Sequence, residues 1–125
     1  VYGGAEYSPE TFRNGVWTYS WSDNTWSRLS DISPPPARYA HTAISTSSSM
    51  LVYGGVIEGQ TVGQYDCLWQ FSYESQSWTN TQDCQDSEGD VEASLYGSAV
   101  LDQCRKRILF YGLLVYPFYQ YGLEA

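Results

Sequence analysis

Val16-Trp17-Thr18-Tyr19-Ser20-Trp21 recurs 52 residues later as Leu68-Trp69-Gln70-Phe71-Ser72-Tyr73, and this recurrence decides the fold. The match runs on through a polar tetrad to a second tryptophan, Trp26 in one copy and Trp78 in the other. Upstream, Val1-Tyr2-Gly3-Gly4 returns as Val52-Tyr53-Gly54-Gly55, 51 residues on. Downstream, Tyr39-Ala40-His41-Thr42-Ala43-Ile44 matches Tyr96-Gly97-Ser98-Ala99-Val100-Leu101. Likewise Met50-Leu51-Val52-Tyr53-Gly54 matches Ile108-Leu109-Phe110-Tyr111-Gly112, so a third copy begins inside the chain. Self-similarity at a fixed period marks a repeat architecture, in which each unit buries its apolar faces against its neighbours.

Each unit reads as four strands. In the second copy these are strand a, Tyr39 to Thr46; strand b, Met50 to Tyr53; strand c, Cys67 to Tyr73; and strand d, Ser77 to about Thr81. Glu74-Ser75-Gln76-Ser77 supplies a tight c–d turn, and Asp23-Asn24 the equivalent turn in the first copy, where Asn and Asp tolerate left-handed geometry. Composition agrees: aromatic residues make up 17% and charged residues only 16%, and no segment keeps a helical period. An all-β unit of four strands repeating every 51 to 58 residues is a propeller blade rather than a solenoid turn.

The pattern resembles the kelch repeat. The shared features are a Gly-Gly pair after an apolar strand, a large aromatic following it, and a tryptophan closing the unit. Arg38-Tyr39-Ala40-His41-Thr42-Ala43, after Pro34-Pro35-Pro36, is similar to the stretch that opens the family's first strand. No Trp-Asp dipeptide occurs, which sets the WD-type propeller aside. The resemblance covers about residues 1 to 112 and implies a kelch-type β-propeller segment of four-stranded antiparallel blades. On that frame, 1–31 holds strands b, c and d of blade one, 38–82 is blade two, and 95–125 is a partial blade three. Blade three is expected to be irregular after 112, because Leu113 replaces the second glycine and Leu114 to Tyr121 departs from the strand-c pattern. Closed propellers use four to eight blades, so the chain is expected to be part of a larger ring, completed by further blades from the same or another chain. The opening on Val1-Tyr2-Gly3-Gly4 reads likewise as the inside of an element.

Charge removes several function classes. Fourteen acidic residues against six basic ones leave a net charge of −8, and Lys106 is the only lysine. Nucleic-acid affinity depends on basic phosphate contacts, so a nucleic-acid binder is excluded. The longest apolar stretch, Ile108 to Tyr116, is broken by Gly112 and stopped by Pro117, well short of a membrane span. No Gly-x-Ser-x-Gly elbow and no phosphate-binding glycine loop is present. The acids of Asp83 to Glu92 lack the spacing of a calcium loop and read as a solvated loop. His41 is the only histidine, too few imidazoles for a copper site, and is expected to be a hydrogen-bonded structural residue. No metal, cofactor or catalytic residue is expected in this segment.

The repeated residues are expected to carry structure. Gly3, Gly4, Gly54, Gly55 and Gly112 permit positive φ or close approach where strand b ends. Trp17, Trp26, Trp69 and Trp78 are expected to fill the wedges between blades; exposed aromatics stacking on sugars are the alternative. Binding is expected at the loops. In an up-and-down blade the a–b and c–d turns share one face and the b–c and d–a loops the other, and here the second set is long. That face collects Glu6, Glu10, Asp31, Glu58, Asp83, Asp86, Glu88, Asp90 and Glu92, relieved by Arg13 and Arg38, with Gln60 and Tyr65 among them. Long loops on a rigid scaffold gather binding residues, and an acidic loop face suits a basic protein partner.

Of the three cysteines, Cys104 lies in an a–b turn and is expected to be free. A c–d hairpin centred between Ser75 and Gln76 would set Tyr73 opposite Trp78 and Cys67 opposite Cys84, within disulfide range. A Cys67–Cys84 bridge would imply an oxidising, extracellular or luminal compartment; the alternative is a reduced protein with three ordinary cysteines. The leading functional expectation is a non-catalytic protein-interaction module. The alternatives are a fragment of a kelch-propeller enzyme of oxidase or epimerase type with its catalytic residues elsewhere, and an extracellular carbohydrate-binding or structural component.

Overall fold

The computed structural model describes residues 1–7, 10–29, 32–59, 68–80, 97–111 and 119–122, and every regular element in them is a strand. In the first unit β1 (Ala5–Tyr7) pairs with β2 (Glu10–Phe12), and β3 (Trp17–Ser20) with β4 (Thr25–Arg28). Val1 and Tyr2 run beside the start of β3: Tyr2 bridges Val16, and the Trp17 amide donates to the Val1 carbonyl at 2.8 Å. A short β5 (Arg38–Tyr39) leads into the second unit. That unit is β6 (Thr42–Ser45), β7 (Ser49–Tyr53), β9 (Trp69–Ser72) and β10 (Ser77–Asn80), with β8 (Val56–Ile57) set aside to pair with β5. The four strands form one antiparallel sheet in the order β10-β9-β7-β6, which is the blade that the repeat implied. The third unit is β11 (Ser98–Asp102), β12 (Arg107–Tyr111) and β13 (Tyr119–Gly122), again antiparallel.

Period-two alternation along the blade-two strands makes the sheet two-sided. Val52, Phe71 and Trp78 turn one way and join Tyr2 and Val16 of blade one in a buried cluster. Leu51, Tyr53 and Leu68 turn the other way and join Ile108 of blade three. The core is therefore a pair of inter-blade wedges. Val52, Leu68 and Ile108 lose all contact with solvent there. Each such side chain contributes about 1.5–3 kcal/mol by leaving water.

Several sequence expectations need correcting. Strand a starts at Thr42, not Tyr39, because Ala40 takes a left-handed φ of 57° and turns Arg38–Tyr39 out of the ladder. The b–c connection of the first copy, read from sequence only as a long loop, carries the paired strands β1 and β2. The c–d hairpin closes on Ser72 opposite Ser77, with Trp78 facing Phe71 rather than Tyr73. Residues 73–76 form a four-residue turn whose last member, Gln76, sits at φ 52°. The pairing that set Cys67 opposite Cys84 assumed a hairpin centre one residue later, so that argument for a disulfide falls; both cysteines lie outside the described residues. Blade three carries a third strand, β13, where the sequence pattern lost the strand-c motif. Gly112 also lies outside the described residues.

The connection from blade one reaches the outer edge of blade two. Ile32 forms a parallel bridge with Ser77: the Trp78 amide donates to its carbonyl at 3.0 Å, and its own amide donates to the Gln76 carbonyl at 3.3 Å. This places backbone partners on a strand edge that would otherwise stand open.

Candidate interaction face

The long-loop face is built on Arg38. Its amide donates to the Arg13 carbonyl at 3.1 Å, and its carbonyl accepts from the Gly4 amide at 2.8 Å. The Arg13 amide in turn donates to the Gly4 carbonyl at 2.9 Å, extending the β1–β2 hairpin. On the other side the β5–β8 pairing continues through the Glu58 amide, which donates to the Ala37 carbonyl at 2.9 Å. Loops of both blades are thus laced by backbone hydrogen bonds into one small patch of sheet. The guanidinium is fully buried, with Nη1 donating to the Gly54 carbonyl at 3.1 Å and Nε to the Pro36 carbonyl at 3.2 Å. Burial lowers its pKa from the usual value, opposed by the electrostatic influence of Tyr2 and a hydrogen bond with its side chain. Arg38, expected among the partner-binding residues, is buried with its guanidinium on carbonyls inside the junction.

One glycine of each Gly-Gly pair makes room for this segment. A Cβ on Gly3 would stand 2.8 Å from the Arg38 carbonyl oxygen and 2.8 Å from His41 Cε1. One on Gly55 would stand 2.6 Å from the Tyr39 carbonyl oxygen. Both glycines also hold positive φ, 73° and 95°. The run from Arg38 to His41 is therefore gripped by a glycine from each blade. His41 lies edge-on to Tyr2, ring centroids 5.3 Å apart, and hydrogen-bonds to the Tyr2 backbone. Burial and the neighbouring Arg38 charge push its pKa down to about 4, so the imidazole is neutral near pH 7.

Around this scaffold Glu6, Glu10, Arg13 and Glu58 are exposed. Arg13 pairs with Glu6, a solvent-exposed ion pair of small energetic worth. Tyr7, in the same hairpin, is 85% exposed, and the sequence reading missed it. The usable signal was Ala5-Glu6-Tyr7 and Glu10-Thr11-Phe12 flanking Ser8-Pro9, two extended runs around a turn dipeptide. Asp31, Gln60, Tyr65, Asp83, Asp86, Glu88, Asp90 and Glu92 lie outside the described residues. Of the tryptophans, Trp78 is buried and Trp69 half-buried against the blade-one junction, whereas Trp17 and Trp26 are exposed. Cys104 is exposed in the β11–β12 turn as a free thiol. Among the described residues no group of three or more His, Cys, Asp or Glu side chains comes together. No described helix is long and apolar enough to cross a membrane.

The sequence matches the Attractin/LZTR1 beta-propeller family over residues 1–121. The chain belongs to that family. This propeller segment is also similar to Kelch domain-containing protein 2 of human and of mouse, each 31% identical over 86 residues. That alignment covers 64% of the propeller segment and 20% of each relative, so the segment spans about a fifth of the length of the curated relatives it matches. A kelch-type propeller supports a protein-interaction module in general.

Proposed function

We propose that this chain is part of a non-catalytic interaction module that binds a protein of basic character through its long-loop face, the ring being completed by further blades. One observation carries the reading: acidic side chains and an exposed tyrosine stand on loops that Arg38 laces to the blades. Glu6, Tyr7, Glu10 and Glu58 thus project from a fixed platform. Preorganised loops lower the ordering cost of association, and tyrosine is a favoured anchor at interfaces. The acids act on encounter rate and partner choice, so binding weakens as salt rises.

The test is hydrogen exchange on the intact polypeptide that carries this chain, in complex with partners captured at low salt. Protection at 5–7, 10–13 and 56–58 is expected. Protection confined to the short turns at 46–48, 73–76 and 103–106 overturns the reading.

A further inference from the structure

We infer that His41 is an acid-sensitive latch on the long-loop face: when its imidazole takes up a proton, the run from Arg38 to His41 leaves its seat between the blades, and the loops laced to Arg38 come free. Regulation of binding by this release rests on the reading of that face as the binding face. The latch itself rests on the packing around the ring.

The seat has no place for a second donor. A Cβ on Gly3 of blade one would stand 2.8 Å from Cε1 and 3.4 Å from Nδ1 of His41, and one on Gly55 of blade two 2.9 Å from its Cβ. The imidazole hydrogen-bonds to the Tyr2 backbone, and Nδ1 is buried with no hydrogen-bond partner. In the neutral ring one nitrogen donates and the other accepts; in the protonated ring both donate. Protonation therefore makes Nδ1–H a buried donor without an acceptor. It also sets a second cation beside the fully buried Arg38 guanidinium. Ala40, the residue before, holds a left-handed φ of 57°, so release relieves backbone strain as well.

The other titratable groups on the packed elements do not offset the new charge. Tyr2, Tyr39 and Tyr53 are neutral at acid pH. The Tyr2 hydroxyl donates to the Pro36 carbonyl at 3.2 Å, Tyr39 packs edge-on against Phe12, and Tyr53 turns into the wedge with blade three. Among the described residues Arg38 is the charged group that acts on the imidazole. Glu6, Glu10 and Glu58, the carboxylates of the laced loops, are exposed, and Glu6 pairs with Arg13. The release is local. The Gly4 amide on the Arg38 carbonyl, the Arg38 amide on the Arg13 carbonyl and the Glu58 amide on the Ala37 carbonyl all depend on this run. The blade-two sheet starts at Thr42 and closes through β7, β9 and β10 without it. The third copy carries Ser98 where the second carries His41, so the acid response belongs to one junction.

The experiment is native hydrogen exchange of the intact polypeptide without a partner, at about pH 7.5 and about pH 5, each rate divided by the intrinsic rate at that pH. The imidazole binds its proton at about 4 when seated and at the usual 6.5 when released. Opening at the Gly4, Arg38 and Glu58 amides is therefore expected to rise about thirtyfold at the lower pH. The Gln70 and Phe71 amides of β9, paired on both sides, are expected to open far less often at either pH. His41→Gln, which does not titrate, is expected to remove the rise. Unchanged opening at the lower pH overturns the proposal. Opening of β9 together with the loops overturns it, because the acid then acts on the whole chain. A full rise in the glutamine variant also overturns it, by assigning the effect to the carboxylates. If that variant does not fold, the two sets of amides in the unsubstituted protein decide alone. Exchange is read without a partner, so a failed latch leaves the partner-binding reading standing, and a failure to bind at neutral pH leaves the latch standing.

Discussion

The ring of Tyr2 stands 4.8 Å from that of Trp78 at an interplanar angle of 58°, and the two belong to different blades. Phe71 lies 5.2 Å beyond Trp78, so three aromatic rings run from one sheet into the next. Trp78→Ala is therefore expected to cost about 3–5 kcal/mol, the range for truncating a large buried aromatic. Trp21→Ala, at a solvent-exposed turn, is expected to stay within about 0.5 kcal/mol. Urea denaturation of the intact polypeptide measures both, and equal effects would contradict the junction described above.

Gly55→Ala and Gly4→Ala separate steric contact from backbone strain. Both positions hold positive φ, but a Cβ at Gly55 meets the Tyr39 carbonyl oxygen while one at Gly4 meets nothing within 4 Å. Strain alone is worth about 1–3 kcal/mol. Gly4→Ala is expected to lose stability in that range and Gly55→Ala distinctly more, as read from thermal melting.

His41 makes stability depend on pH. Its folded pKa of about 4 lies below the usual 6.5, so the unfolded chain binds the proton more readily. The stabilising contribution is complete above pH 6.5 and is lost as pH falls towards 4, a change of about 2–3 kcal/mol by linkage. His41→Gln should flatten the stability profile between those values. A variant with the unchanged slope would assign the titration to the carboxylates instead.

Two arginines, Arg13 exposed and Arg38 buried, make the fourth comparison. Arg13→Ala removes an exposed ion pair to Glu6 and is expected to cost under about 1 kcal/mol. Arg38→Ala removes the donors from the Pro36 and Gly54 carbonyls, and each buried acceptor left without a partner costs about 1–3 kcal/mol. Denaturation midpoints that fail to rank Arg38 above Arg13 would remove it from the scaffold.

The blade itself was legible because its residues repeat: Trp69, Phe71 and Trp78 echo Trp17, Tyr19 and Trp26, and the Gly-Gly pairs mark where strand b ends. The hairpin register was legible too, had the first copy been used to read the second. Asn24 is a familiar left-handed residue at φ 53°, and Gln76, 52 positions on, adopts the same conformation although its own chemistry gives no hint of it. The loop face was less legible, since β1, β2 and β5 are two or three residues long and carry no periodicity. Arg38 reads as a surface charge in sequence; only the carbonyls of Pro36 and Gly54, brought together by the fold, make its burial tolerable.

Ile32 bears on how the molecule responds to force. The link that leaves blade one is hydrogen-bonded along the rim of blade two before it turns inward to β6. Tension on that link is applied to the outermost strand of the following blade, so blade one cannot be pulled away without first unzipping Ile32 from β10. At this junction the two blades are mechanically chained, with the Ile32 bridge at the rim the first contact that tension on the link loads.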